Sequence, residues 1–120
     1  MAELANLKCV ACSQDAPQVT EKEIDVYGPQ VPDWQVVEDD GIKRIERVFH
    51  FSDFASALEF TIHVGELAEV EEHHPAILTE WGRVKVSWWT HKIRGLHWND
   101  FVAAAKTDQL FLTAGQAVTV

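Results

Sequence analysis

Two strand–turn–strand patterns lie on either side of one long helical pattern, and this order leaves few architectures open. In the first pattern, residues 34–37 alternate weakly and the return strand runs from Ile42 to about Phe51. Between them stands Asp40-Gly41. An Asp-Gly pair accepts positive φ at little cost, so it is a strong signal for a hairpin. We therefore expect two antiparallel strands here.

The second hairpin pattern follows residues His73-His74-Pro75. It comprises residues 77–79, a turn near Trp81-Gly82, and a strand over 83–88. Side chains alternate between the two faces of a strand. Val84, Val86 and Trp88 therefore share one face of the predicted strand. One face of this hairpin is expected to be buried.

The segment from Phe54 to about Val70 carries the longest helical pattern. Its apolar residues recur at helical spacing and include Ala57, Leu58, Phe60, Ile62, Val64 and Leu67. Ser52 is the expected N-cap, and the helix should end before Pro75, since the residue preceding a proline avoids the α region. The apolar face is wide, so we expect this helix to pack against the sheet and against a second partner.

Two shorter helices complete the pattern. Thr20 and Glu23 form a capping box, which predicts a helix from about Glu21 to Tyr27. A last helix is expected from about Trp98 to Leu112. The whole order predicts an α+β, two-layer domain, with helices packed on one face of a four-stranded antiparallel sheet.

The predicted domain covers residues 19–112 of the 120. Residues 1–18 mix small, polar and proline residues without a period and are expected to be a flexible arm. Residues 113–120 are expected to be a C-terminal tail. A single domain agrees with the usual domain size of roughly 100–150 residues.

The charge balance narrows the range of partners. Ten Lys+Arg face 19 Asp+Glu, for a net charge of −9 at pH 7. Binding to nucleic acid or to anionic membranes needs basic clusters, so neither partner is expected. No apolar stretch approaches the ~20 residues of a spanning helix. The first residues contain an early acid and no apolar signal core, so a cytoplasmic location is expected.

Cys9 and Cys12 are the two cysteines of the chain. The C-x-x-C spacing is compatible with a redox pair, half of a zinc site, a partner contact, or an ordinary N-terminal segment. A tetrahedral zinc site needs four ligands, and the nearest histidine in sequence is His50. No metal is therefore expected.

The adjacent pair His73-His74 is the strongest candidate for chemistry. Pro75 makes the turn rigid, and Glu69, Glu71 and Glu72 lie just upstream. Histidine changes its charge nearest to neutral pH, and a neighbouring carboxylate orients its ring. From spacing alone, three interpretations stay open: capping or surface residues, a metal site, and acid/base catalysis.

The other histidines carry weaker signals. His91 follows Trp88-Trp89-Thr90 at a strand end, which is a common position for site residues. His50 and His63 lie within predicted elements and are interpreted as ordinary strand and helix residues, and His97 as a local cap. The chain has no nucleophile elbow and no glycine-rich phosphate loop. Proton transfer on a flat, neutral substrate is the chemistry that these residues favour.

Taken together, the spaced landmarks resemble a known signature. These landmarks are Glu69, His73-His74-Pro75, Trp81, His91 and Asp100. Their types and spacings resemble the signature of pterin-4a-carbinolamine dehydratases, also called 4a-hydroxytetrahydrobiopterin dehydratases. The similarity extends from about Thr20 to Gln109 and is closest to bacterial members. Asn99 stands where animal members carry arginine, and His97 replaces the expected hydroxyl cap.

The resemblance implies a hydro-lyase activity. Family enzymes remove water from the 4a-carbinolamine left on the pterin after aromatic amino-acid hydroxylation, and the product is quinonoid dihydropterin. Carried over by motif position, His73 and His91 are the acid/base pair and His74 is an auxiliary or positioning residue. Which imidazole is acid and which is base stays open. The family needs no cofactor, since the pterin is the substrate.

The resemblance also implies roles for residues around the histidines. Glu69 and Asp100 are expected to orient the imidazoles, and Thr90 to hold the amide edge of the pterin. Pro75 is expected to shape the turn, and Trp81 to support the site.

Partners follow from the same resemblance and from the 54–70 helix. The resemblance implies an oligomer, since family members assemble into oligomers. The wide apolar face of the 54–70 helix likewise favours a homodimer or a homotetramer. A functional link to a phenylalanine hydroxylase is implied. The alternative is a non-catalytic protein on the same fold, which binds pterin or stabilises a partner.

Overall fold

A computed structural model describes Leu4 and residues 18–113 of the chain. Its helices and strands are α1 (Glu21–Tyr27), β1 (Gln35–Asp39), β2 (Ile42–His50), α2 (Phe54–Glu71), β3 (Ala76–Glu80), β4 (Arg83–Trp88) and α3 (Trp98–Thr113). Short 3₁₀ turns occupy Gly28–Gln30 and His91–Ile93. The predicted elements are confirmed in type and order, and their ends shift by one or two residues.

The four strands form one antiparallel sheet in the order β1-β2-β4-β3. Each hairpin pairs internally, and β2 joins β4 through a register in which Ile45 faces Trp88 and Phe49 faces Val84. These four side chains are buried on the face that the helices cover. The predicted α+β architecture with a four-stranded antiparallel sheet is therefore confirmed.

Aromatic rings connect the sheet to the helices. Phe49 of β2 lies 4.8 Å, centroid to centroid, from Phe60 of α2 and 4.9 Å from Phe111 of α3. Phe51 lies 5.2 Å from Phe60, also in a tilted arrangement. Tilted and edge-to-face pairs are the favoured geometries for such rings, in addition to the apolar area that they bury. This cluster holds α2 and α3 on the sheet.

Helix α2 begins at Phe54 as predicted, but its N-cap lies one residue later than expected. Asp53, and not Ser52, is the N-cap, and its carboxylate accepts a hydrogen bond from the backbone N–H of Ser56 at 2.8 Å. The capping group must reach the N–H three residues ahead, and Asp53 has that spacing to Ser56. Glu72 closes the other end in the left-handed conformation, with φ of 53°.

Helix α2 is apolar on more of its surface than the sheet covers. Its buried stripe consists of Ala57, Phe60, Val64 and Ala68. A second apolar stripe, Phe54, Leu58 and Ile62, is 45%, 44% and 55% exposed. We call these three residues the outer stripe. The sheet therefore accounts for only part of the wide apolar face.

A polar network ties α3 to the sheet and to the segment before β1. Asp108 accepts hydrogen bonds from the indole N–H of Trp34 at 2.8 Å and from Arg47 at 2.7 Å. Burial raises the pKa of the Asp108 carboxyl, against the lowering effects of Trp34 and Arg47. The network satisfies an arginine that lies on the buried face of β2.

Leu4 is the one described residue of the predicted arm before Gln18. It is buried in the core, and its backbone N–H donates to the side chain of Gln30 at 3.0 Å. Cys9, Cys12 and the predicted tail beyond Thr113 lie outside the described residues. Within Leu4 and residues 18–113, none of the helices combines the length and apolar character needed to cross a membrane.

Candidate active site

The candidate residues meet at one edge of the β3–β4 hairpin. His73 and His74 precede β3, while Thr90 and His91 follow β4. The strands are antiparallel, and Ala76 pairs with Ser87. The beginning of β3 and the end of β4 therefore lie side by side, which brings both histidine segments to the same place.

Asp100 is the centre of the site's hydrogen bonds. Its carboxylate has no exposed surface, and it lies in the first turn of α3. One oxygen lies 2.6 Å from Nε2 of His73. The other accepts the hydroxyl of Thr90 at 2.9 Å and the backbone N–H of His97 at 2.8 Å. One buried carboxylate thus joins three separate segments of the chain.

His73 is the most enclosed of the three site histidines. It is 9% exposed, and its ring stacks on Trp88 at 5.5 Å with an interplanar angle of 5°. Because an ionised carboxylate can only accept, Nε2 of His73 carries the hydrogen of this bond. The carboxylate and the indole together fix the tautomer and the plane of this ring.

His74 and His91 are open to solvent. Nε2 of His74 lies 2.5 Å from a carboxylate oxygen of Glu69, and both side chains are mostly exposed. Nε2 of His91 lies 3.2 Å from the backbone carbonyl oxygen of His74. In all three site histidines Nε2 is the anchored nitrogen, so Nδ1 is the nitrogen that each can turn to a small molecule.

His97 caps helix α3 with an imidazole where a hydroxyl is usual. Its Nδ1 accepts the backbone N–H of Asn99 at 3.2 Å, and its own backbone N–H donates to Asp100. The ring nitrogen thus caps the N–H of the second helical residue, and the carboxylate of the third reaches back to the cap residue. Burial lowers the pKa of His97, and the nearby Asp100 raises it by a smaller amount. The predicted capping role of His97 is confirmed.

The structure does not bring every predicted site residue together. Pro75 lies directly between His74 and β3, at the site. Trp81 lies at the β3–β4 turn, the opposite end of the hairpin from the histidines, and is 72% exposed. Five residues of strand separate the two ends, or about 17 Å. Trp81 does not reach the histidines of its own chain, and its supporting role stays a prediction.

The two remaining histidines, His50 and His63, lie away from this site. His63 pairs on the surface of α2 with Glu59 and Glu66, at 3.7 Å and 3.3 Å. His50 is exposed at the end of β2. Over Leu4 and residues 18–113, no three side chains from His, Cys, Asp and Glu are grouped so as to hold a metal ion.

Two residues near His91 were missed by sequence reasoning. The indole of Trp89 contacts the ring of His91 at a centroid distance of 4.4 Å, and the Arg44 guanidinium lies 4.0 Å above that indole. The signal for Trp89 was that it continues the alternation of Lys85 and Ser87 one residue past the end of β4, two residues before His91. Arg44 carried no local signal, because it comes from β2.

Comparisons with known proteins agree with this geometry. The family model described as pterin 4 alpha carbinolamine dehydratase matches residues 17–110. A protein of Nitrosococcus oceani named "Putative pterin-4-alpha-carbinolamine dehydratase" is 57% identical over 110 residues, covering 92% of this chain and 97% of that protein. A similarly named protein of Gloeobacter violaceus is 56% identical over 112 residues, covering 93% and 97%.

A solved structure resembles the fold as well. It is described as a transcriptional coactivator/pterin dehydratase from Brucella melitensis. It matches with a TM-score of 0.70 and 31% identity, over 78% of this chain and 98% of that one. The family model covers most of the chain, two relatives share more than half of its residues, and the fold is the same. The chain therefore belongs to the pterin 4 alpha carbinolamine dehydratase family.

Proposed function

We propose that this protein catalyses the dehydration of 4a-hydroxytetrahydropterin to quinonoid dihydropterin and water. The observation that carries this proposal is the convergence of His73, His74 and His91 on one edge of the sheet, with His73 held by the buried Asp100. Imidazoles that are anchored through one nitrogen and offer the other are suited to proton transfer.

The reaction needs one proton delivered and one removed. The C4a–O bond breaks, and hydroxide is a poor leaving group, so an acid must protonate it as it departs as water. The electron pair of the adjacent ring nitrogen forms the new C=N bond, and a base takes the proton from that nitrogen. Positioned acid/base groups typically contribute ~10²–10⁴-fold to such a step.

We assign the acid/base pair to His73 and His91, with His74 as an auxiliary. His73 is enclosed and fixed in plane by Trp88 and Asp100, which suits a group that must meet a flat substrate in one orientation. His91 is exposed on the turn after β4, so it can exchange its proton with solvent between turnovers. Glu69 then orients His74 from the rim of the site.

Thr90 acts in this proposal mainly through Asp100. Its hydroxyl donates to the buried carboxylate, so the side chain is engaged within the protein. The backbone beside Thr90 is the part left to hold the amide edge of the pterin. No metal or organic cofactor is needed for these steps, since the pterin itself is the substrate.

We further propose that the protein works as a homodimer or homotetramer in the cytoplasm, recycling the pterin of an aromatic amino-acid hydroxylase such as phenylalanine hydroxylase. The outer stripe on α2 supports self-association, because it exposes three large apolar side chains on one helix face.

A second candidate is a pterin-binding or partner-stabilising role without catalysis. The description of the Brucella melitensis structure as a transcriptional coactivator as well as a pterin dehydratase supports this second candidate. Pterin binding without acceleration of the dehydration would support this candidate.

The direct test is the ultraviolet decay of 4a-hydroxytetrahydropterin. The reaction also proceeds uncatalysed, so a sample without protein is essential. We expect the unmodified chain to accelerate the decay, and His73→Ala and His91→Ala each to lose most of that acceleration while staying folded. His50→Ala is the matched control, since His50 is exposed at the far end of β2. No acceleration by the unmodified chain would contradict the proposal.

A further inference from the structure

His91 lies on an exposed 3₁₀ turn, yet its ring must be held in a defined plane to transfer a proton to or from a flat substrate. Its hydrogen bond to the carbonyl oxygen of His74 is 3.2 Å long and anchors one ring atom. A ring held through one atom can still rotate about that contact. Something else must set its plane.

The indole of Trp89 meets this need. Its ring lies 4.4 Å from the His91 ring, centroid to centroid, at an interplanar angle of 36°. At this distance the two rings are in contact, and the indole blocks one face of the imidazole. Trp89 is itself only partly buried and lies directly after β4, so it also needs support.

Arg44 supplies that support from the neighbouring strand. Ile45 of β2 pairs with Trp88, the last residue of β4, and the same register continued by one residue sets Arg44 opposite Trp89, on the face that the helices leave open. The guanidinium carbon lies 4.0 Å from the indole centroid, within the range of a cation–π contact.

The way Arg44 is held supports this reading. Its side chain is 20% exposed, and Nη1 lies 3.6 Å from a carboxylate oxygen of Asp39. Its Nε is buried and finds no hydrogen-bond partner in the part of the chain that the structure describes. Arg47, two residues along, instead hydrogen-bonds Asp108. The Arg44 guanidinium therefore contacts the Trp89 indole through its flat face, while its Nε–H makes no hydrogen bond within the described residues.

We propose that Trp89, held by Arg44, is a positioning residue that sets the plane of the His91 ring for the dehydration. This inference rests on the proposed function, because it assigns a purpose to the orientation of His91. The proposal predicts that replacing Trp89 slows the reaction only because the His91 ring is no longer held in its plane.

Nuclear magnetic resonance tests the contact between Trp89 and His91 independently of any enzyme assay. The ring current of an indole shifts the protons of a ring packed on it, so we expect the His91 ring signals to move in Trp89→Leu and largely to persist in Trp89→Phe. Arg44→Gln should move them partly. Arg83→Gln is the control, an exposed arginine of β4 that pairs with Glu80. Unmoved His91 signals in Trp89→Leu would overturn the proposal.

Kinetics then tests the purpose. We expect Trp89→Leu to lower kcat roughly tenfold or more with KM changed by less than about twofold, since small misplacements of a reacting group are costly. Trp89→Phe should restore most of kcat. In a His91→Ala background, Trp89→Leu should cost nothing further, because the two residues act as one unit.

The outcomes separate the two proposals. A full cost of Trp89→Leu in the His91→Ala background means that Trp89 acts on the substrate directly, which would overturn the positioning role. If the unmodified protein lacks dehydratase activity, the proposed function fails, and the resonance measurement still decides whether Trp89 and Arg44 orient His91.

Discussion

At the scale of single residues, Asp100 and His97 connect the stability of α3 to the candidate site. Asp100 accepts the backbone N–H of His97 and binds His73 with its other oxygen. The same carboxylate therefore completes a helix cap and orients an imidazole. A change that loosens the cap will also loosen the ring of His73.

The cap makes a prediction about pH. The pKa of His97 lies below its ordinary value of 6.5, mainly because burial disfavours the charged ring. Between pH 6.5 and the lowered pKa, His97 is therefore protonated in the unfolded chain but mostly neutral in the folded chain, and this difference favours unfolding. The contribution of His97 to stability is present above that pH and is lost as the pH falls through its lowered pKa.

We expect His97→Ser to remove this acid sensitivity. Serine keeps an oxygen that can accept the N–H of Asn99, and it does not titrate. The measurement is the urea midpoint at about pH 7.5 and pH 5.5 for both proteins. The other titrating groups act in both chains, so the difference isolates His97. An equal acid loss in the two proteins would contradict the prediction.

At the scale of elements, α2 is set by its two ends. Asp53 caps the beginning with its carboxylate, whose pKa is lowered chiefly by the backbone hydrogen bond from Ser56. Glu72 ends the helix in the left-handed conformation, where its backbone N–H bonds back to the last turn. This turn also aims His73 and His74 toward the site, because they follow Glu72 directly.

Glu72 occupies a conformation that glycine adopts at less cost. We expect Glu72→Gly to stabilise the fold by about 0.5–1 kcal/mol, because a side chain with positive φ carries steric strain. Ala55→Gly is the control, since it places glycine within the first turn of the same helix, where it should destabilise by a similar amount. Urea unfolding of both variants checks the sign. A less stable Glu72→Gly protein would contradict this account.

At the scale of the whole molecule, the sheet brings distant segments together and the outer stripe is left open. Hydrogen bonds also link α3 to β2 and to the segment before β1, since Asp108 accepts from both Arg47 and Trp34. The outer stripe of α2 lies on the surface, with Ile62 the most exposed of its three residues at 55%. An apolar surface of this kind fits an interface between copies of the chain.

We expect Leu58→Glu to weaken self-association. A charge in the middle of an apolar interface must be desolvated, so the assembly should dissociate at concentrations where the unmodified chain remains a dimer or tetramer. Sedimentation velocity over a range of concentrations measures this. Val26→Glu is the control, since Val26 is an exposed apolar residue of α1. A strictly monomeric unmodified chain would rule out the interface.

Local patterns carried much of the fold. The Asp40-Gly41 turn has the positive φ values, 53° and 75°, that its sequence predicts, and both hydrogen bonds of the Thr20–Glu23 capping box are formed. The order of helices and strands was therefore readable. His73, His74, His91 and Asp100 were named from their spaced signature, and the structure brings all four to one edge.

The tertiary structure decided what local patterns do not contain. The pairing of β2 with β4 brings Arg44 over Trp89, and it links residues that are far apart in sequence. The same geometry sends Trp81 to the far end of its hairpin, away from the histidines. It also buries Asp100 completely while leaving His74 exposed.

The division has a physical cause. Helix periods, caps and turn residues depend on interactions within a few positions of the chain, so the sequence by itself determined the elements and their order. Strand order, burial and the contacts of a ring depend on which distant surfaces exclude water together. The spaced signature predicted Asp100 as an orienting carboxylate, and only the folded chain could decide that it holds His73 and that Trp89 lies against His91.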